Sequence, residues 1–304
     1  MASRDASTSF NPDNPLSGYV GHLSEPQQKA LDDFRAKLAA NGIAEQVVDG
    51  QPKPLSDADL LRWLRARNFQ VEKSYEMYKA HVDWRKSVDL DNLYKNFPWE
   101  RARSAAKKFY PQFFHKTDKT GHPVHIHRLG LIDLAKLYQV VSQQEEIQFL
   151  YLQNEMNVRE RFPACTKVLK EQAQASGGNP DEVRHIETVT SIIDVSGVTV
   201  FQFWKVKDVV SQVITISDAN YPETLNHTYV INAPSLFSTI WGYIKGWIDP
   251  RTASRVSILS TDYQKTLLEN IPAENLPTFL GGTCECKDRT AGSCMDGEVG
   301  PWVH

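Results

Sequence analysis

The sequence predicts an α/β protein, with a mainly parallel sheet crossed over by helices and a small helical domain ahead of it. Three observations carry this. Short strand-like runs at 124–129, 189–195, 228–231 and 256–259 are separated by long helical stretches, which is the alternation that parallel strands with crossover helices require. The three later runs are mostly continuous apolar, as strands covered on both faces are. Upstream of residue 100, helix-start signals follow one another without a comparable strand run.

Taken in order, residues 1–16 are polar and proline-bearing and read as disordered. Ser24, with Pro26 just inside and Gln27 three positions on, reads as a capped helix start; Leu31, Phe34 and Leu38 then repeat at helical spacing until Asn41-Gly42. A polar linker at 49–54 precedes a second cap at Ser56, with Asp59 at the third helical position. Leu60, Leu61 and Leu64 supply the buried stripe of that helix, while Arg62, Arg65 and Arg67 decorate it. A third helix over 71–86 carries Tyr75, Tyr78, Val82 and Trp84. The helical domain is expected over 17–100, the sheet domain over 101–282, and a polar tail over 283–304. Run 124–129 alternates polar and apolar, so one of its faces meets something other than core. Gly177-Gly178-Asn179-Pro180 marks an exposed loop.

The composition narrows the function. A net charge of -3 leaves no domain-wide basic excess to neutralise phosphates, so nucleic acid is excluded as the main partner. Cys165, Cys284, Cys286 and Cys294 follow no secreted disulfide pattern and no apolar signal segment opens the chain, which places it in a reducing cytosol with free thiols. Cys284-Glu285-Cys286 with Cys294 is weak as a metal motif, and no metal is expected. No run reaches the roughly 18 apolar residues of a membrane span. Catalysis finds no support: there is no Gly-x-Ser-x-Gly elbow, phosphate loop, dinucleotide fingerprint or His-Glu-x-x-His helix. Asp194, at the end of an apolar strand, reads as structural.

The most informative stretch is 221–282. A Tyr221-Pro222-Glu223 turn leads into a strand and then Asn232-Ala233-Pro234. A helix over 235–248 follows, nearly all apolar, with Leu236, Phe237, Ile240, Trp241, Tyr243, Ile244, Trp247 and Ile248. A buried core helix and a helix covering something greasy both fit this composition. Gly242 and Gly246, each costing on the order of 1 kcal/mol in a helix interior, and an apolar surface wider than one stripe favour the cover. Asp249 is then an N-cap and Pro250 a first helical residue. Thr252 and Arg255 fall on one face near a positive helix end, readable as a solvated charged turn or an anion site. The stretch closes on Phe279-Leu280-Gly281-Gly282.

This order of elements resembles the lipid-binding domain of the CRAL-TRIO family, and within it the fungal phosphatidylinositol/phosphatidylcholine transfer branch. The resemblance spans about 17–282 and implies a sheet floor with helices enclosing an apolar cavity, with helix 235–248 as its gate. It assigns gate residues Phe237, Ile240, Trp241, Ile244, Trp247 and Ile248. It also matches Arg67, Glu223, Thr252 and Arg255 to contacts with the phosphatidylinositol headgroup. Arg255 replaces a lysine, keeping the charge but changing its geometry, and Asn68 stands where the branch commonly has lysine. Positions that surround phosphatidylcholine in the family read Phe114, His125, Asn154, Val189 and Ser191 here. Losing three tyrosine phenols removes donors and cation-stacking surface, so weakened phosphatidylcholine binding and another apolar second ligand are expected. His127 shares a strand face with His125. Polar contacts inside the cavity are the expected role of this pair, with a two-histidine metal or haem site as the alternative.

The implied function is a phosphatidylinositol transfer and presentation protein: cytoplasmic, monomeric, transiently attached to Golgi or other membranes, and presenting its lipid to lipid kinases. No cofactor is expected beyond bound phospholipid. Two acyl chains hold about 30 methylene and methyl groups, and at about 0.8 kcal/mol each their exposure to water costs roughly 20 kcal/mol or more. A carrier therefore needs a closed apolar cavity that opens only when docked. A binding or sensing module for a sterol, isoprenoid or haem on the same fold is the alternative reading, and a hydrolase the remaining one.

Overall fold

The computed structural model describes residues 16–43, 45–48, 51–234, 237–286, 294–295 and 297–303. They divide into two compact units, Met1–Phe97 with Ala219–Glu223 and Pro98–Asp218 with Thr224–His304. Residues 1–15 of the expected disordered segment lie outside the described residues.

The first unit carries α1 (Glu25–Ala40), β1 (Glu45–Val48), β2 (Gln51–Pro54), α2 (Asp57–Ala66), α3 (Val71–Ser87) and α4 (Leu90–Asn96). Ser24 and Ser56 each form the reciprocal capping box that their sequences announce, with Gln27 and Asp59 as partners. The apolar stripes of α1 and α2 meet: Phe34, Leu38, Leu60, Leu61 and Leu64 are at most 1% exposed, and Tyr78 joins them. Two expectations are corrected. The polar linker contains a strand, β2, paired antiparallel with β1 from Glu45↔Pro54 to Val48↔Gln51; the Asp49-Gly50 dipeptide between them is a hairpin signal in the sequence. Arg62 and Arg65 are buried, not surface decoration. Arg65 lies over the Tyr19 ring at 4.0 Å and donates to the Gly18 carbonyl at 3.0 Å, so its charge is solvated by protein.

The second unit opens with α5 (Trp99–Phe109), β3 (Gln112–Thr117) and β4 (Pro123–Arg128), and continues through α6 (Leu134–Val140), α7 (Gln143–Met156), α8 (Phe162–Ala175) and β5 (Val189–Asp194). It closes with α9 (Val200–Asn220), whose last two residues belong to the first unit, then β6 (Leu225–Ile231), α10 (Phe237–Lys245), α11 (Pro250–Ser254), β7 (Val256–Ile258) and α12 (Gln264–Asn270). The sheet order is β3-β4-β5-β6-β7. β4 to β7 are parallel, and β3 is an antiparallel edge strand absent from the sequence reading. Gln112–Thr117 hides from pattern analysis because its register breaks between Phe114 and Thr117, where Lys116 takes a left-handed φ of 52°. One sheet face packs Phe113, Val124, Ile126, Ile192, Tyr229 and Ile231 against Leu267, Ile271, Leu276 and Leu280. The opposite face, described below, carries the candidate site.

Candidate functional site

Strand register sets the site's floor. Phe114, His125, Ser191, Thr228 and Val256 lie across from one another on five successive strands, and Gln112, His127, Ile193, Val230 and Ile258 form the adjacent row. The alternation seen in run 124–129 is thus explained: Val124 and Ile126 enter the core face while His125 and His127 face the other way. At the β3 end of this face is a cavity of about 600 Å³. Gln112, Phe114 and His125 line it from the sheet, Arg103 and Phe149 from α5 and α7, and Glu298 from the C-terminal segment. The Gln112 amide oxygen and nitrogen are buried with no hydrogen-bond partner among the described residues, which makes them a donor and acceptor for a ligand.

Four side chains stack through this wall. The Arg161 guanidinium lies 3.7 Å from the Phe114 ring centroid. Phe114 stacks on His125 at 4.1 Å and 4°, and His125 Nδ1 and His127 Nε2 are 2.9 Å apart, one donating to the other. Burial, then His127 and Arg161, hold the His125 pKa well below the usual imidazole value, and burial lowers His127 to about 4. Both rings are therefore neutral near neutral pH, and they serve each other as hydrogen-bond partners. Both keep partial exposure, and His125 borders the cavity. Arg161, 0% exposed, emerges from a single π-helical turn, Asn157–Arg161, between α7 and α8. That turn re-aims one side chain inward, a feature no periodicity argument reveals.

The expected second-ligand residues do not all converge. Phe114, His125 and Ser191 share one row, His127 lies in the next, and Val189 packs with Phe114 in an apolar cluster. Asn154 instead donates from α7 to Ser217 Oγ on α9 at 2.9 Å, a helix-to-helix tie.

The headgroup candidates fall in both units. Arg67, Asn68 and Glu223 belong to the first. Arg67 caps the C-terminal end of α2, and Asn68 and Glu223 take left-handed φ values of 51° and 56°. Thr252 and Arg255 belong to the second. Asp249 caps α11 by accepting from Arg251 N, with Pro250 first in the helix, as expected. The position of Arg255 is corrected: it is the C-cap residue of this five-residue helix, not a neighbour of its positive end. Its Nη1 donates to the Leu225 carbonyl at 2.7 Å, and its N–H to Thr252 O at 3.1 Å. The Tyr221–Pro222 bond is trans.

The gate helix is shorter than expected. α10 ends at Lys245, where Gly246 N and Trp247 N bond back three residues to Tyr243 O and Ile244 O; Ile248 lies beyond it, and Ser235 and Leu236 lie outside the described residues. Phe237 and Ile240 are buried, and Trp241, Ile244 and Trp247 pack beside them against Phe203, Val195 and Val230. The outward side carries Tyr243, 46% exposed, in edge contact at 4.8 Å with Trp204, itself 42% exposed, on α9; Phe201 nearby in sequence is 68% exposed. No α10 residue lines the 600 Å³ cavity, so the gate closes over its own apolar cluster.

Asp194 accepts from Ser196 N at 3.0 Å and Asn232 Nδ2 at 2.8 Å and lies 3.8 Å from Arg128, which makes it a strand-end anchor. Cys284-Glu285-Cys286 with Cys294, expected to be free thiols and weak as a metal motif, comes together with a fourth residue: His115, Cys284, Cys286 and Cys294 bring their ligand atoms within 4.8 Å of one another. Sequence reasoning also missed Arg161, Glu298 and Gln112. Of these only Gln112, two residues before Phe114, carried a local hint.

Comparison with known proteins places this geometry in context. A family model described as CRAL/TRIO domain matches residues 107–282. The chain is 41% identical over 292 residues to the Sec14 cytosolic factor of Schizosaccharomyces pombe, covering 96% of this chain and 93% of the relative. It is 36% identical over 291 residues to the SEC14 cytosolic factor of Kluyveromyces lactis, covering 96% and 89%. Phosphatidylinositol/phosphatidylcholine transfer protein SFH12 of Arabidopsis thaliana is 35% identical over 277 residues, 91% of this chain and 47% of the plant protein. The crystal structure of Sfh5 aligns with a TM-score of 0.51 over 91% of this chain and 92% of its own, at 18% identity, a likeness of fold.

Proposed function

The chain belongs to the CRAL/TRIO family, and from that premise we propose that it carries phosphatidylinositol and a second hydrophobic ligand between membranes and presents them there. One observation carries the mechanism: α10 turns Phe237, Ile240 and Trp241 to the fold, while its exposed side, otherwise Ser238, Thr239, Gly242 and Lys245, presents Tyr243 beside Trp204. Such a helix can trade inner contacts for bilayer contacts. Burying Phe201, Trp204 and Tyr243 in a bilayer supplies about 2 kcal/mol each, with Lys205 and Lys245 exposed beside them for anionic headgroups. A cavity of about 600 Å³ suits a drug-sized ligand, and a two-chain phospholipid is larger. Uptake therefore requires the cluster beneath α10 to part, and docking provides the moment.

Phe114, His125, Ser191 and Gln112 form the second-ligand wall in this proposal, and Thr252 with Arg255 hold the lipid phosphate. These polar contacts choose the cargo while the cavity makes its removal from a bilayer possible, and no covalent step is involved. Among the described residues no helix is long and apolar enough to cross a membrane, consistent with transient docking by a cytosolic monomer at Golgi or other cytoplasmic faces. Presentation of the bound inositol lipid to lipid kinases extends the same proposal.

Lipid extracted from the purified chain and identified by mass spectrometry tests it, together with phosphatidylinositol transfer between vesicles. Bound phosphatidylinositol and transfer slowed at least fivefold by Trp204→Ser with Tyr243→Ser are expected. A chain that purifies without phospholipid and moves none between vesicles would overturn the reading.

A further inference from the structure

We propose that His115, Cys284, Cys286 and Cys294 form a closed tetrahedral zinc site that straps the C-terminal segment to the edge of the sheet. The inference is independent of the lipid-transfer reading. Their ligand atoms all lie within 4.8 Å of one another. Cys284 Sγ and Cys286 Sγ are 3.7 Å apart and Cys286 Sγ and Cys294 Sγ 3.2 Å. Zinc with sulfur at about 2.3 Å and nitrogen at about 2.0 Å gives tetrahedral edges of about 3.8 Å between sulfurs and about 3.5 Å between sulfur and nitrogen. Both sulfur separations fall at or slightly below the sulfur–sulfur edge and no ligand pair exceeds 4.8 Å, so metal binding needs only small side-chain adjustments. His115, Cys284 and Cys294 are buried, and no disulfide joins the cysteines.

The backbone delivers the ligands from separate segments. His115 sits in the irregular part of β3, on the side of Phe113 and away from the cavity-facing Phe114. Cys284 is fixed by main-chain bonds, its N–H to Leu276 O at 3.0 Å and its carbonyl accepting from Thr278 N at 3.1 Å. Cys286 then takes a left-handed φ of 52°, which turns the chain so that both of its neighbours in the cluster are within reach. Three thiolates and one imidazole are a soft donor set that suits Zn²⁺ and leaves no open position, the mark of a structural site. Residues just beyond the cluster build the cavity wall: Met295, Gly297 and Glu298 line it, and Val299 pairs with His115. Zinc would thus hold in place the segment that supplies Glu298 to Arg161.

The test uses the full chain, produced with zinc supplied and purified without chelator. Elemental analysis is expected to give about one zinc per chain, released when the thiols are titrated with a mercurial. Replacement by Co²⁺ is expected to give the visible d–d bands of tetrahedral cobalt with thiolate charge-transfer absorption. His115→Ala and Cys286→Ser should each lower zinc content at least fivefold, while Cys165→Ser, outside the cluster, should leave it unchanged. Should a variant fail to fold, the cobalt spectrum of the unaltered chain still decides. Metal below a tenth of an equivalent with no tetrahedral cobalt spectrum, or a Cys286–Cys294 disulfide found by mass spectrometry, would overturn the proposal.

Discussion

Arg161 and Glu298 meet through two hydrogen bonds, Nη2 to Oε1 at 2.5 Å and Nε to Oε2 at 3.2 Å, with the arginine side chain wholly buried. Gln153 and Asn157 take further guanidinium protons, and Trp302 Nε1 donates to the same carboxylate at 2.9 Å. Burial lowers the Arg161 pKa, and Glu298 works against that shift. The pair joins a helix of the cavity wall to the C-terminal segment.

Breaking such a pair from one side leaves an uncompensated buried charge. Glu298→Ala is therefore expected to cost about 3 kcal/mol of unfolding free energy, read by equilibrium denaturation. Replacing both partners, as Arg161→Met with Glu298→Leu, is expected to recover most of that loss, because the desolvation of both charges disappears with the pair. A double variant as unstable as the single one would show that the neighbouring Gln153 and Trp302 contacts dominate.

The histidine pair makes the protein acid-sensitive in a defined window. His127 is depressed from 6.5 to about 4 by burial, and His125 is lowered too. Between those values the unfolded chain binds more protons than the folded one, so stability is full above about pH 6.5 and drains as pH falls toward 4. Both rings keep partial exposure, and solvent screening moderates the loss. His127→Phe is expected to flatten this slope between pH 6.5 and 5. The His127 imidazole proton shifts followed by NMR should titrate near pH 4; a His127 midpoint near 6.5 would contradict the burial argument.

Much of this architecture is written locally. The capping boxes at Ser24 and Ser56, the stripes of α1 and α2 and the parallel strands β4 to β7 follow from short-range chemistry, so pattern reading reaches them to within a few residues. What escapes it depends on distant partners. β3 is disguised by its bulge, Arg161 is turned inward by a π turn and finds Glu298 at the far end of the chain, and His115 meets three cysteines supplied from beyond residue 280. The end of α10 was overrun because aromatic composition alone does not stop a helix, whereas Gly246 does. Arg65 looked like surface because a charge reads as polar until Tyr19 and Gly18 are seen around it.

Asp118 anchors the turn between β3 and β4. Its carboxylate accepts from Thr190 Oγ1 at 2.7 Å, from Thr120 N at 2.9 Å and from His122 N at 3.0 Å, with His122 Nδ1 3.2 Å away. Burial alone would raise its pKa, but His122, Thr190 and Thr120 outweigh it and hold the group at about 2. A depressed carboxyl stabilises the fold above its unfolded pKa of 3.8 and loses that contribution as pH falls through about 2. Asp118→Asn is expected to cost about 2 kcal/mol at pH 7, and the difference from the parent should vanish in acid melts near pH 2.

Headgroup selection by Thr252 and Arg255 is separable from structural damage. Arg255→Ala removes a bond to the Leu225 carbonyl and so lowers stability by about 1 kcal/mol whatever the ligand. Thr252→Asp disturbs no hydrogen bond described for its side chain and places a negative charge where the lipid phosphate is proposed to sit. Phosphatidylinositol transfer is expected to fall at least tenfold, equivalent to about 1.4 kcal/mol, with the melting temperature unchanged. Equal transfer by Thr252→Asp and the parent would remove α11 from the headgroup site.

Gly242 lies on the outward side of α10, exposed, with no atom within 4 Å of the position its Cβ would take. No packing reason therefore requires glycine there, yet a glycine in a helix interior costs on the order of 1 kcal/mol relative to alanine. The helix is weaker than its contacts allow, as expected of an element that must part from Phe203 and Val230 and re-form. Gly242→Ala should stiffen α10 and add up to about 1 kcal/mol to the stability of that segment, visible as slower amide hydrogen exchange between Ile240 and Lys245. If the helix is the gate, vesicle-to-vesicle transfer slows while the amount of lipid bound at equilibrium stays the same. Slower exchange with unaltered transfer would mean that cargo enters by another route, past α5 and the C-terminal segment where the cavity lies.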